Sequence, residues 1–182
     1  MSERFAILEL RAAVSIVYTI GYEGTDIERF IATLKQVGVM AIADVRAVAV
    51  SRKKGFSKAK LRARLEQEGI AYIHYIELGD PKPGRDAARA GEYEKFRRIY
   101  SRHLAGAVPQ TAIKAVVKIA RQRPTCLLCF ERDPKVCHRS MIADELASSG
   151  FESLHLFGDN PCQYDHAAKL PRRNISQGAT AA

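Results

Sequence analysis

The chain has no tryptophan, only four cysteines in 182 residues, and no uninterrupted apolar run of the ~18 residues that a membrane-spanning helix needs. A membrane span is therefore not expected. The first residues also lack a secretory pattern, because Glu3 and Glu9 interrupt the short apolar stretch and no small-residue cleavage site follows. The expectation is a cytoplasmic protein whose Cys126, Cys129, Cys137 and Cys162 stay reduced rather than pairing as disulfides. Walker A, G-x-G-x-x-G and G-x-S-x-G runs are all missing, which removes the commonest phosphate loops and the serine nucleophile elbow, and no cofactor is expected. No internal repeat is present.

What is there reads as a globular chain. Hydrophobic residues make up 47% and charged residues 27%, too apolar for a disordered segment, and the length suits one domain with a core of its own. Charge is unevenly placed. Residues 46–64 carry eight Lys or Arg and no Asp or Glu, nearly all of the net charge of +9. Such a segment attracts polyanions through Coulomb steering and counterion release, and it also serves as an ordinary solvated face.

Along the chain, short β-branched runs alternate with helical periods. Residues 16–20 (IVYTI) predict a strand ended by Gly21. Ile27, Phe30, Ile31, Leu34 and Val37 then repeat at helical spacing, with Thr25 or Asp26 as N-cap and Gly38 as the stop. A second apolar run over 39–45 leads into the basic loop 46–57. Ser57 predicts the cap of a helix carrying Leu61 and Leu65, closed by Gly69, and residues 70–76 (IAYIHYI) predict a third strand. Residues 78–89, rich in Gly, Pro, Asp and Arg, predict a surface loop. Two helices follow, bearing Tyr93 to Leu104 and Ile113 to Ala120. Residues 125–130 predict a strand buried on both faces, residues 138–148 a helix, and residues 153–157 a last strand. The alternation predicts a single α/β domain over 16–158, a mostly parallel sheet with helices on both faces in a Rossmann-like three-layer arrangement, flanked by an N-terminal extension 1–15 and a C-terminal arm 159–182.

Open α/β sheets bind ligands beyond the carboxyl ends of their strands. Those ends are polar here. Tyr22 follows the first strand, Asp44, Arg46, Ser51 and Arg52 the second, His74 closes the third, and Glu131, Cys137, His138 and Arg139 follow the fourth. The runs TIGYEG (19–24), ADVR (43–46), SRKKGFS (51–57), ELGDPKPGRD (77–86), CLLCFERDP (126–134) and CHRS (137–140) resemble the domain-of-unknown-function family numbered 488, over about Val17 to Leu146. The family's proline between the second and third of these motifs stands as Ala49 here, which loosens that loop without removing a chemical group. The resemblance implies a cytosolic α/β domain and no established reaction.

The chemistry is therefore argued from the residues. A thiol at a helix N-terminus feels the positive end of the helix dipole, and adjacent His138 and Arg139 favour its thiolate, which makes Cys137 a nucleophile candidate. The same backbone N–H groups, with Arg139, equally suit an anion cradle. Asp44 orients either Arg46 or His138, or forms a strand-end ion pair. Glu131 is a general base if its site is dry. Arg46, Ser51 and Arg52 suit a phosphate. Tyr22, Phe56 and His74 are candidate contacts, with core packing as their ordinary role. Cys126 and Cys129 lie three apart on a strand and point to opposite faces. Cys129 with Cys137 and His138 lacks a second clean ligand pair, so no metal is expected. Three readings result: an enzyme acting on a phosphorylated small molecule or nucleic acid, with Cys137, His138, Glu131 and Asp44 catalytic; a non-catalytic nucleic-acid binder; or a redox sensor built on Cys137.

Overall fold

Apolar runs bounded by turn residues become strands, and the amphipathic stretches between them become helices. In the computed structural model, which describes residues 15–164, the strands are β1 (Ser15–Gly21), β2 (Ala41–Asp44), β3 (Ala71–His74), β4 (Thr125–Cys129) and β5 (Phe151–Phe157). The helices are α1 (Ile27–Gln36), α2 (Lys58–Gln67), α3 (Lys82–Arg89), α4 (Tyr93–Leu104), α5 (Ala107–Gln122) and α6 (His138–Ala147). The strands form one sheet in the order β3-β2-β4-β1-β5, and every pairing is parallel.

Local chemistry explains most boundaries. Asp26 caps α1 by accepting the Arg29 N–H at 2.9 Å, and Gly38, Gly69 and Gly150 close α1, α2 and α6 with positive φ. Ser57 occupies the cap position of α2 but makes no side-chain hydrogen bond there. Among the described residues, no helix is long and apolar enough to cross a membrane.

The loop that the sequence predicts over 78–89 is in large part a helix, α3. Pro83 lies in its first turn, where a missing N–H costs nothing. Lys82 and Arg89 both reach Asp86, and Gly84 faces Phe96 and Ile99 of α4. Short length and the absence of an apolar period hide such a helix from sequence. The extension 1–15, apart from Ser15, and the arm beyond residue 164 lie outside the described residues. The start of that arm packs on the domain: a 3-10 turn, Pro161–Tyr164, lies against α1, and the Tyr164 hydroxyl accepts the Phe157 N–H at 2.8 Å.

The two faces of the sheet carry separate cores. Tyr18, Ile20, Ile42, Tyr72, Cys126 and Leu128 meet α1 and α2, whereas Val17, Ala43, Val45 and Leu127 meet α3 to α6. Running from β1 through β2 to β3, the chain moves one way across the sheet with its helices on one face. From β3 through β4 to β5 it returns with its helices on the other, as right-handed crossovers require. The reversal falls between the adjacent strands β1 and β4, where such sheets open a crevice at their carboxyl edge.

Gly21 ends β1 at that crevice. A Cβ there would stand 1.7 Å from the carbonyl oxygen of Glu131. Gly21→Ala is therefore expected to push the β4 exit loop away and lower stability by about 1–3 kcal/mol, read as a fall in the urea midpoint. An unchanged midpoint would show that this approach is not needed.

Candidate functional site

Parallel strands bring all the expected polar residues to one edge, but alternation along each strand divides them between the two faces. Asp44, Arg46, Tyr22, Phe56 and His74 belong to the α1–α2 side. Cys137, His138 and Arg139, with Glu131 on the loop that joins them to β4, belong to the other. The single constellation that the strand-end argument suggests is in fact two.

On the α1–α2 side the groups are saturated. The carboxylate of Asp44 is fully buried. Its Oδ1 accepts from the Arg46 backbone N–H at 3.1 Å and Nε at 2.8 Å, and its Oδ2 accepts from Arg46 Nη2 and the Tyr72 hydroxyl, each at 2.5 Å. Arg46 Nη1 donates to the Phe56 carbonyl at 2.9 Å, and its guanidinium lies over the Tyr22 ring. Burial lowers the guanidinium's affinity for its proton, but the contacts with Asp44 more than restore it and raise the pKa overall. Burial and the Asp44 charge likewise push the Tyr72 hydroxyl upward. Asp44 thus orients Arg46 and does not reach His138.

Phe56 is completely buried, stacked on Tyr22 at 4.4 Å and edge-on to Phe30 at 5.3 Å, so it anchors its loop rather than meeting a ligand. His74 Nε2 lies 2.8 Å from the Arg46 carbonyl. Ser51 accepts the Lys53 N–H at 3.2 Å in a local turn. The Lys58 N–H donates to the Ala49 carbonyl at 2.9 Å, a bond that proline at 49 would also accept. Of the expected anion-binding arginines, Arg52 alone is exposed.

The second group is built around α6. Cys137 is its N-cap residue, in extended conformation, and is 2% exposed. The His138 ring lies 2.8 Å from the Val45 carbonyl through Nε2, which must carry the proton. Nδ1 then faces sulfur, 3.6 Å from Cys129 Sγ and 4.0 Å from Cys137 Sγ. The Cys129 thiol donates to Glu131 Oε2 at 2.9 Å. Tyr100, buried and donating to the Leu78 carbonyl at 2.7 Å, packs its ring 5.2 Å from that of His138.

Arg139 is fully buried. Its guanidinium donates to the Glu131 carbonyl at 2.5 Å, the Arg132 carbonyl at 2.9 Å and the Thr19 hydroxyl at 3.3 Å. It clamps protein, leaving no free fork for a ligand.

Electrostatics separates the two thiols. Burial opposes a thiolate at Cys137, but the Cys129 hydrogen bond, the His138 imidazolium and Arg139 outweigh it and hold Cys137 well below the ordinary thiol range. Cys129 moves far upward through burial and through Cys137 and Glu131. Burial would depress His138, yet the Cys137 charge and hydrogen bond raise it to about 9. Glu131 is lifted to about 7, first by burial and then by the Cys137 charge. Burial also raises half-buried Asp80, against the opposing charges of His138 and Arg85.

Cys129, Cys137 and His138 bring their ligand atoms within 4.8 Å of one another. Three donors are one short of a closed tetrahedral zinc set, and the neighbouring Glu131 carboxylate accepts from the Cys129 thiol. Cys129, Asp80 and Tyr100 were not among the residues expected to act. Cys129 has a legible signal, since Leu127 faces α4 to α6 and residue 129 must do the same. Asp80 stands in the motif ELGDPKPGRD (77–86) without any sign there of its nearness to Cys137, and Tyr100 comes from a helix that nothing in the sequence links to Cys137.

The model of a family described as "Domain of unknown function DUF488" matches residues 26–146, more than half of the chain. No curated protein and no solved structure gives a significant match.

Removing one member of a buried ion pair leaves the other charged and unsolvated. Asp44→Ala is therefore expected to cost about 3–5 kcal/mol, and Tyr72→Phe about 1 kcal/mol, in urea unfolding. A near-neutral Asp44→Ala would show that Arg46 finds another partner.

Proposed function

The chain belongs to the DUF488 family, whose description carries no activity, and we propose from its thiol cluster that it is a thiol-dependent enzyme with Cys137 as nucleophile. The observation that carries this reading is the pairing of an N-cap thiol with an imidazole whose far nitrogen is tied to the Val45 carbonyl. That tie orients the ring and supports its protonated form, so thiolate and imidazolium stabilise each other, as activated cysteines require. In this reading Cys137 attacks, His138 holds the thiolate and returns a proton to the leaving group, and Glu131, at about 7, carries protons near neutrality.

Burial restricts what Cys137 can meet. A small electrophile, or one narrow group of a larger molecule, suits a thiol that is almost covered. Glu131 and Asp80 disfavour a phosphate directly beside it. A phosphate-bearing substrate is therefore best held at a distance, by Arg52 and Lys54 of the loop after β2, which are exposed. That loop also supports a second reading, a polyanion-binding surface, because Val48 and Val50 are exposed beside the same cations.

The nucleophile reading is tested by alkylating the native protein with iodoacetamide across pH and mapping each cysteine by mass spectrometry. Cys137 is expected to react faster than the buried Cys126 and Cys129, with its rate already level near neutrality. A rate that climbs only above about pH 8.5 overturns the assignment. His138→Gln, which keeps a donor toward Val45 but no cation, is expected to move the rise to higher pH. The polyanion reading has its own test. Filter binding to single-stranded nucleic acid is expected to weaken with salt and with Arg52→Ala/Lys54→Ala, while Cys137→Ala leaves it unchanged. Absence of binding at low salt removes that reading.

A further inference from the structure

Cys129 has no task in a one-thiol mechanism, yet it is the group best situated to act on Cys137. We propose that the two cysteines form a redox pair in which Cys137 reduces a small peroxide and Cys129 resolves it as an intramolecular disulfide, later returned to the dithiol by an external thiol. This rests on the reading of Cys137 as a nucleophile and names its substrate class.

Geometry supplies the argument. The two Sγ atoms and the His138 nitrogen lie within 4.8 Å of one another, so bonding distance, about 2.05 Å between sulfurs, is a short movement away. Cys129 is fixed as the last residue of β4, paired opposite Gly21. Cys137 is the N-cap of α6, directly after the 3-10 turn Pro134–Val136; its backbone is held by Pro134 and Ser140, but its side chain makes no cap hydrogen bond that a rotation toward Cys129 would break. The other two cysteines are poorly situated: Cys126 belongs to the core on the opposite face of the sheet, and Cys162 lies in the exposed turn after β5. Near-complete burial of Cys137, with Glu131 and Asp80 as neighbours, favours a small neutral oxidant over a bulky or anionic one.

The steps balance. The Cys137 thiolate attacks one oxygen of the peroxide, forming an S–O bond as the O–O bond breaks. The departing oxygen takes the proton from His138 and leaves as water or an alcohol. Cys137 is now a sulfenic acid, oxidised by two electrons. The Cys129 thiol gives its proton to Glu131, its hydrogen-bond acceptor. The Cys129 sulfur then attacks the Cys137 sulfur, an S–S bond forms, the S–O bond breaks, and the hydroxide takes up a proton as water. Two equivalents of a monothiol, or one dithiol, reduce the disulfide and are themselves oxidised.

The experiment uses the full chain, reduced and then freed of reductant, treated with one equivalent of hydrogen peroxide. The expected product is a mass loss of about 2 Da and a peptide pair joining Cys129 to Cys137, with catalytic peroxide consumption when dithiothreitol is supplied. In Cys129→Ser, dimedone is expected to trap a sulfenic acid at Cys137 that the wild type does not accumulate. Cys126→Ser is expected to behave as wild type. Disulfide mapping on the wild type needs no variant, so a misfolded substitution does not blunt the test. If wild-type Cys137 collects sulfenic or sulfinic acid without joining Cys129, the redox pair is wrong while the nucleophile stands. If Cys137 reacts with neither peroxide nor iodoacetamide, the reading beneath it falls too. Stoichiometric zinc in the native protein, released only as the thiols are modified, would also overturn the proposal.

Discussion

A buried guanidinium organises the carboxyl edge of this sheet. Arg139 sits beneath the loop that leaves β4 and donates to the carbonyls of Glu131 and Arg132, while Nε reaches Thr19 on β1. Those bonds tie the first turn of α6 to the edge of the sheet at the point where strand connectivity reverses. Among the described residues no carboxylate oxygen stands within ion-pair distance of Arg139. A buried cation so placed lowers the cost of negative charge nearby, and the Cys137 thiolate is the group that benefits. The same residue therefore fixes the geometry of the cluster and biases its charge.

The sheet then determines which groups can cooperate. Parallel pairing delivers every strand end to one edge, and the period of two sends neighbouring side chains to opposite faces. Asp44 and Val45 are adjacent, yet the carboxylate turns toward Tyr72 and Arg46, while the Val45 carbonyl receives His138 from the other side. One strand end supports a closed ion pair with its side chain and an oriented imidazole with its backbone. Gly21 completes the arrangement, since only a residue without Cβ lets the Glu131 carbonyl lie against β1.

Much of this was legible in the sequence, for identifiable reasons. Strands and helices announced themselves through apolar period and glycine stops, and the capping position of Cys137 followed from the start of α6. The division of the polar residues between faces was also available, by counting alternate positions from Leu127 and Ile42. What sequence could not supply was long-range partnership. The fates of Arg46 and Arg139 depend on carbonyls of Phe56, Glu131 and Arg132, and any residue type offers a carbonyl. Asp80 joins the cluster from the connection between β3 and α3; it stands in the run ELGDPKPGRD (77–86), but nothing in that run shows that it comes near Cys137. The α3 helix was hidden because its proline and glycine read as breakers, although the proline lies in the one turn that tolerates it.

Saturation separates the structural polar group from the proposed reactive one. Both Asp44 oxygens receive two hydrogen bonds each, from donors fixed by the backbone or by packing. A charge so completely solvated by protein is held in a deep well and has little left to offer a substrate. The Cys137 sulfur has one long contact with Nδ1 at 4.0 Å and a neighbouring thiol, and no backbone N–H is bound to it. Its negative charge is balanced at a distance by His138 and Arg139 rather than saturated at contact. Long-range compensation favours the thiolate, and sparse contact leaves its lone pairs free, the combination that the proposed nucleophile needs. By that criterion the Asp44–Arg46 pair is scaffold, and the proposed chemistry belongs with the thiol cluster on the face covered by α4 to α6.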